Sequence, residues 1–124
     1  MTTERPICDS FITAADLSTK QWLVVKISAA NTIAVATANT DVQIGILQDK
    51  PAASGRAARV AVGGRSKAYS GGALGTAGIS VSADSAGKLV ATAAGTRAVG
   101  VLLTTAAGAD ELVEILVCPH SRPA

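Results

Sequence analysis

The chain has 124 residues and a formal net charge of +2, and 48% of it is hydrophobic, yet only Phe11, Trp22 and Tyr69 are aromatic. That length supports one modest core, the small charge argues against nucleic-acid binding through an overall field, and no apolar run reaches the roughly 18 residues that span a bilayer. The apolar residues are mostly Ala, Val, Ile and Leu, so the core is thin and the chain is expected to gain from association with a partner or another copy.

Met1 to Thr19 is a segment of mixed polarity. Its first ten residues lack the apolar stretch of a signal peptide, which places synthesis and initial residence in a cytosol. Ile7, Phe11, Ile12 and Leu17 are apolar without a clear strand period; they either close one end of a barrel or form an arm lying on another subunit. Thr13 and Asp16 have near-capping-box spacing ahead of Leu17, so a short helix over 13–20 competes with an extended arm.

Beyond that segment the sequence becomes short β-branched runs separated by Gly, Ala, Ser, Asn and Asp, the punctuation of an all-β domain. Strands are predicted over 22–28, 32–37, 42–48, 58–62, 66–69, 79–82, 89–92, 98–104 and 111–117. The Ala-rich stretches 51–58 and 105–109 each hold an internal Gly and are too short to nucleate a helix, so they read as loops. In the last strand Val113, Ile115 and Val117 share one face and Leu112, Glu114 and Leu116 the other, which predicts cover on both sides or a neighbour. The organisation is an arm over 1–20, a β-barrel or sandwich over 21–118 and a tail over 119–124.

Two segments are copies of one another. Val42-Gln-Ile-Gly-Ile-Leu precedes a loop with Gly55, then Val60 and Val62; Arg97-Ala-Val-Gly-Val-Leu precedes a loop with Gly108, then Val113 and Ile115. A repeated strand, Gly-containing loop and strand suggests a pseudo-symmetric barrel or sandwich. Gly45 and Gly100, inside the first strand of each copy, mark a bulge, a sharp bend or the close approach of another backbone.

No motif carries catalytic chemistry. The single histidine, His120, lies in the segment Pro119-His-Ser-Arg-Pro with nothing sequence-adjacent to hold it against a nucleophile. Ser66 and Lys67 are neighbours in a strand and therefore point to opposite faces. The carboxylates are scattered singly through turns, without an EF-hand or a histidine cluster, and the glycine-rich stretch 63–78 lacks GxxxxGK[ST]. No cofactor or metal is expected. Cys8 and Cys118 lie near opposite ends, far from CxxC spacing; they are two free thiols in a reducing cytosol, or a disulfide tying the termini or neighbouring subunits.

From Lys50 to Lys67 there are five basic residues, Lys50, Arg56, Arg59, Arg65 and Lys67, and no acidic ones. This stretch reads as a solvated sheet edge whose cations discourage edge pairing, or as a contact patch for an acidic partner surface. Nucleic acid is the weakest reading, because Tyr69 alone supplies no stacking set.

The run from Gly72-Ala-Leu-Gly-Thr-Ala-Gly through Ile79-Ser-Val-Ser-Ala-Asp and Gly87-Lys-Leu-Val-Ala-Thr to Arg97-Ala-Val-Gly-Val-Leu-Leu, then Gly108 and Leu112-Val-Glu-Ile-Leu-Val, resembles the small capsid decoration (cement) proteins of tailed phages. They share its order: a Gly-rich approach, a strand, an Asp/Gly turn, a short strand, an I/V-G-V/I strand, an Ala/Gly loop and a closing hydrophobic strand. The resemblance covers roughly residues 41–117. It implies an all-β auxiliary protein, a small tulip-like β-barrel or β-sandwich with an extended or partly helical N-terminal arm. It further implies binding to the major capsid protein on the outside of a virion, as a homotrimer at three-fold or quasi-three-fold positions, with no membrane or nucleic-acid partner. The capsid-contact candidates are then Ile7, Phe11, Ile12 and Leu17 in the arm and Arg56, Arg59, Arg65 and Lys67 in the basic stretch. Deleting residues 1–20 should abolish capsid binding and leave a folded domain. The alternatives are another virion structural role, in a tail, a fibre or a shell, and a small ligand-binding β-barrel.

Overall fold

A computed structural model describes residues 6–38, 40–92 and 96–121. Among them are nine strands and no helix: β1 (Pro6–Thr13), β2 (Val24–Ala29), β3 (Thr32–Val35), β4 (Gln43–Leu47), β5 (Ala57–Tyr69), β6 (Ser80–Ala83), β7 (Leu89–Ala91), β8 (Arg97–Leu102) and β9 (Leu112–Ser121). The all-β expectation therefore holds, as a small closed barrel carrying further strands.

The strands form one sheet in the order β1-β3-β2-β4-β5-β9-β8-β6-β7, and β1 also pairs with β5. That extra pairing closes β1, β3, β2, β4 and the first half of β5 into a five-stranded barrel. The second half of β5 continues into β9, β8, β6 and β7, and a parallel bridge from Ser70 to Leu89 returns β7 to the end of β5. The second lobe repeats the strand order of the first. In the first, β1 runs parallel to β3 and antiparallel to β5; in the second, the end of β5 runs parallel to β7 and antiparallel to β9.

The repeat extends to individual hydrogen bonds. Thr13 N donates to Arg56 O and Gly55 N to Thr13 O; in the second lobe Ser70 N donates to Glu111 O and Asp110 N to Ser70 O. Ala14 N to Ile33 O is matched by Gly71 N to Leu89 O, and Leu47 N to Leu23 O by Leu102 N to Ile79 O. Left-handed backbone recurs at the same places: Trp22 (φ 69°) with Gly78 (90°), Asn31 (53°) with Gly87 (77°), and Gly55 (77°) with Asp110 (62°). The sequence repeat of one strand pair is thus the visible part of a duplicated barrel. Gly64 (φ 77°) has no counterpart; it lies where β5 passes from one lobe to the other.

Gly45 and Gly100 are equivalent, and both bring another backbone close beside a register shift in their pairing. A Cβ on Gly45 would stand 1.9 Å from Ala61 O, and one on Gly100 would stand 2.2 Å from Leu116 O. Each glycine lets its strand lie against the following one at the bend of its barrel.

Each lobe has its own interior. Leu17, Val25, Ile33, Leu47, Ala58 and Val60 fill the first, and Phe11 packs against them. The second holds Leu74, Val81, Leu89, Val99, Leu102, Val113 and Ile115, and here the outward residues Val24, Ala36, Ile46 and Ala61 of the first lobe join the same cluster. Val24 N donates to Gly87 O (2.8 Å), Tyr69 N to Trp22 O (3.2 Å), Ala83 N to Gln43 Oε1 (2.9 Å) and Gln48 Nε2 to Ser66 Oγ (2.9 Å). The lobes are joined by a buried apolar, hydrogen-bonded junction.

Several expectations are corrected. Residues 6–13, expected within an arm, are a barrel strand, because β5 and β3 offer it backbone partners and the first interior needs Phe11. Deleting residues 1–20 would therefore open the first lobe. Residues 14–23 form turns: the Asp16 carboxylate accepts from Ser18 N (2.8 Å), a local turn in place of a helix cap. The runs 58–62 and 66–69 are one strand of 13 residues, since Gly63 and Gly64 bend β5 without ending it. Pro119 to Ser121, expected as tail, continue β9 against Arg97 and Ala98.

Asp41 ties the β3–β4 connection. Its Oδ2 accepts from Thr37 N (2.9 Å) and Ala38 N (3.1 Å) and faces Lys26 Nζ at 3.4 Å. The Thr37 N–H above all, then the Lys26 charge, hold this carboxyl below the usual carboxylate range against an opposing effect of burial. A carboxyl whose pKa is lower folded than unfolded adds stability above its unfolded value, and that stability is lost as pH falls through the folded one. Asp41→Asn is therefore expected to unfold at lower urea than the wild type at pH 7, with the two midpoints converging as pH drops below about 4; a gap that persists at pH 2 would contradict this.

Candidate contact surface

The eight candidate contact residues separate into three groups. Leu17 is buried, 4% exposed, and Phe11 is half-buried against the first interior, so both serve the barrel. Ile7 and Ile12 stand out from β1 at 65% and 44% exposure. The basic residues lie along β5 and the loop before it; β1 pairs with residues 57–64 along one side of β5, and β4 and then β9 pair along the other. The edge-protection reading is thus overturned at Arg59, where β5 runs between β1 and β4.

Arg56 is exposed in the loop, and Arg59 lies on the outer face of β5 with Nη2 3.5 Å from Cys8 Sγ. Arg65 is committed within the chain, its Nε and Nη2 donating to Glu114 Oε1 and Oε2 at 3.0 and 3.2 Å. That fork raises the guanidinium pKa above its ordinary value. Lys67 is exposed with Nζ 5.8 Å from the centre of the Trp22 ring, within cation–π range. Its neighbour Ser66 is buried, as strand alternation predicts.

Cys8 and Cys118 are free thiols on β1 and β9, and Cys118 Sγ lies 3.6 Å from Leu116 O. His120 is held by its strand: Nδ1 lies 2.7 Å from Cys118 O and so carries the proton, leaving Nε2 to accept from Ser80 Oγ at 3.0 Å. This serine–histidine contact was invisible in the sequence. The group orienting the imidazole is a backbone carbonyl, which cannot neutralise an imidazolium as a carboxylate does. No group of three or more His, Cys, Asp or Glu able to hold a metal occurs among the described residues.

A groove of about 480 Å³ lies between the lobes, lined by Phe11, Val42, Ile44 and Val62 together with Arg97 and His120. A more extended feature is the outer face of β8 and β9. Val101 pairs with Leu116, and Leu103 N donates to Glu114 O. Leu116, Leu112 and Leu103 are 43%, 49% and 36% exposed. The expectation of cover on both faces of β9 is therefore met on one face only within the chain. Sequence reasoning passed over Leu103, Leu112 and Leu116 as contact residues, although the two-sided apolar pattern of β9 was the signal for them.

Fold and surface together define a small two-lobed β-barrel protein whose conspicuous features are exposed faces. Among solved structures, the chain is similar to the head fiber gp8.5 N base of bacteriophage phi29, with a TM-score of 0.65 and 15% identity over 92% of this chain and 95% of that one. No protein-family model matches the sequence, and no curated protein is significantly similar to it.

Proposed function

We propose that the chain is a structural virion protein that decorates and stabilises the outer surface of a phage capsid by bridging neighbouring major capsid proteins as a homotrimer at three-fold or quasi-three-fold sites. The observation that carries this reading is the fold likeness, over nearly the whole of both chains, to the base of a phage head fiber. The exposed apolar and basic residues support it, since a protein that acts by adding contacts needs faces. The capsid-facing candidates that the fold leaves exposed are Ile7, Ile12, Arg56, Arg59 and Lys67. A related reading, favoured by the same likeness, is the base module of a head fiber.

Purified protein mixed with capsids of its source phage that lack it should co-sediment saturably and raise the temperature of shell rupture, because a ligand that prefers the mature shell stabilises it by mass action. Absence of binding would overturn the capsid assignment.

A further inference from the structure

The duplicated fold makes one lobe a record of what the other's faces do. The first lobe seats its outward residues Val24, Ala36, Ile46 and Ala61 against the second, all at 0% exposure. Strand pairing gives their counterparts in the second lobe. Val24 pairs with Ile46 as Ser80 pairs with Val101, and Ile46 pairs with Ala61 as Val101 pairs with Leu116. Thr92, the counterpart of Ala36, is itself buried, whereas Ser80 and Val101 are partly exposed and Leu116 is 43% exposed, with Leu103 beside them at 36%. The face that is wholly covered in the first lobe is in the second lobe partly exposed, at Ser80, Val101, Leu103 and Leu116.

The reverse holds for the other side of the junction. The second lobe presents Tyr69, Ala83 and Gly87 to the first, through Tyr69 N to Trp22 O, Ala83 N to Gln43 Oε1 and Val24 N to Gly87 O. Their counterparts in the first lobe are Ile12, Ile27 and Asn31, by the same pairings: Ile27 with Ile33 matches Ala83 with Leu89, and Asn31 shares the left-handed turn position of Gly87. Ile12 and Ile27 are 44% and 37% exposed, and Asn31 is exposed. Four of the seven large apolar residues left exposed among the described residues thus lie on the two unmatched halves of a junction that the chain already makes once.

We infer that copies of this chain associate head to tail, the face of Ser80, Val101, Leu103 and Leu116 on one copy receiving the face of Ile12, Ile27 and Asn31 on the next, in an interface that repeats the contact between the lobes. Such an interface is heterologous, because each copy uses two different patches, and it closes into a ring when its rotation divides the circle. It deepens the oligomeric part of the proposed function by naming the surface. Because it is measured without capsids, it fails or stands separately from capsid binding.

The test is sedimentation velocity on the wild type, on Leu116→Asp, on Ile27→Asp and on an equimolar mixture of the two variants. Both substitutions sit on exposed positions, and circular dichroism confirms that each variant keeps the wild-type spectrum; Leu116→Ser and Ile27→Ser replace any that does not. The wild type is expected at a multiple of 12.3 kDa and each variant at the mass of one chain. The mixture should form a pair and nothing larger, because one intact junction remains between a sound first-lobe face and a sound second-lobe face. A wild type that stays a single chain at every attainable concentration, a variant that keeps the wild-type mass, or a mixture that does not pair would each overturn the inference.

Discussion

Gly45→Ala and Gly100→Ala are each expected to cost about 3 kcal/mol or more, a large share of the ~5–15 kcal/mol that holds a domain of this size together. The added methyl would stand 1.9 Å from Ala61 O in one case and 2.2 Å from Leu116 O in the other. Both obstacles are backbone atoms in paired strands, so relief requires the strands to part and the Ile46–Ala61 or Val101–Leu116 pairing to be lost. Gly72→Ala and Gly75→Ala serve as controls, since a Cβ at either position meets nothing within 4 Å. Urea unfolding should show midpoints near the wild type for the controls and a large drop for the two strand glycines. A wild-type midpoint for Gly45→Ala would show that the strands separate more freely than their pairing implies.

Removal of β1 is expected to have the larger effect, with loss of the first lobe as a folded unit. A chain beginning at Ala14 loses the strand that pairs with both β3 and β5. Two unpaired edges then face solvent, and the interior formed by Val25, Ile33, Leu47 and Val60 opens on the side where Phe11 packs. The cost is on the order of the whole stability of a small domain. Hydrogen exchange should show β2, β3 and β4 amides exchanging freely, while β8 and β9, whose partners remain, retain more protection. A cooperative melt at the wild-type temperature would show that the first lobe closes without β1. The same result governs capsid work: a truncation that abolishes binding through unfolding says nothing about which residues touch the shell, so point substitutions at Ile7, Arg56, Arg59 and Lys67 are the informative variants.

Sheet identity and most strand positions were legible because they follow from local pattern. Alternation in Val113, Ile115 and Val117 and the short β-branched runs between Gly, Asn and Asp turns specify strands whatever their partners. The repeat of Val42–Leu47 in Arg97–Leu102 was equally visible, and it located the two glycines where backbones meet. The rest of the duplication was hidden because equivalent positions carry different side chains for different surroundings: Trp22 against Gly78, Asn31 against Gly87, Ile46 against Val101. A left-handed turn constrains the backbone, and either a glycine or a tolerated larger residue satisfies it, so the identity of the letters is lost while the conformation persists.

The candidate surface divides in the same way. Sequence alone determined an all-β chain with a thin aliphatic core, a repeated strand unit and a basic stretch along one strand. Tertiary structure decided that β1 belongs to a barrel, that Leu17 is buried, that Arg65 is committed to Glu114, and that Ser80 meets His120 across 40 positions of chain. These outcomes depend on which strands become neighbours, and pairing between distant segments is set by closure of the whole sheet, which no local window of residues records. Exposure of Leu116 beside burial of its counterpart Ala61 shows the principle at one position: the same place in the same unit is core or surface according to what stands next to it.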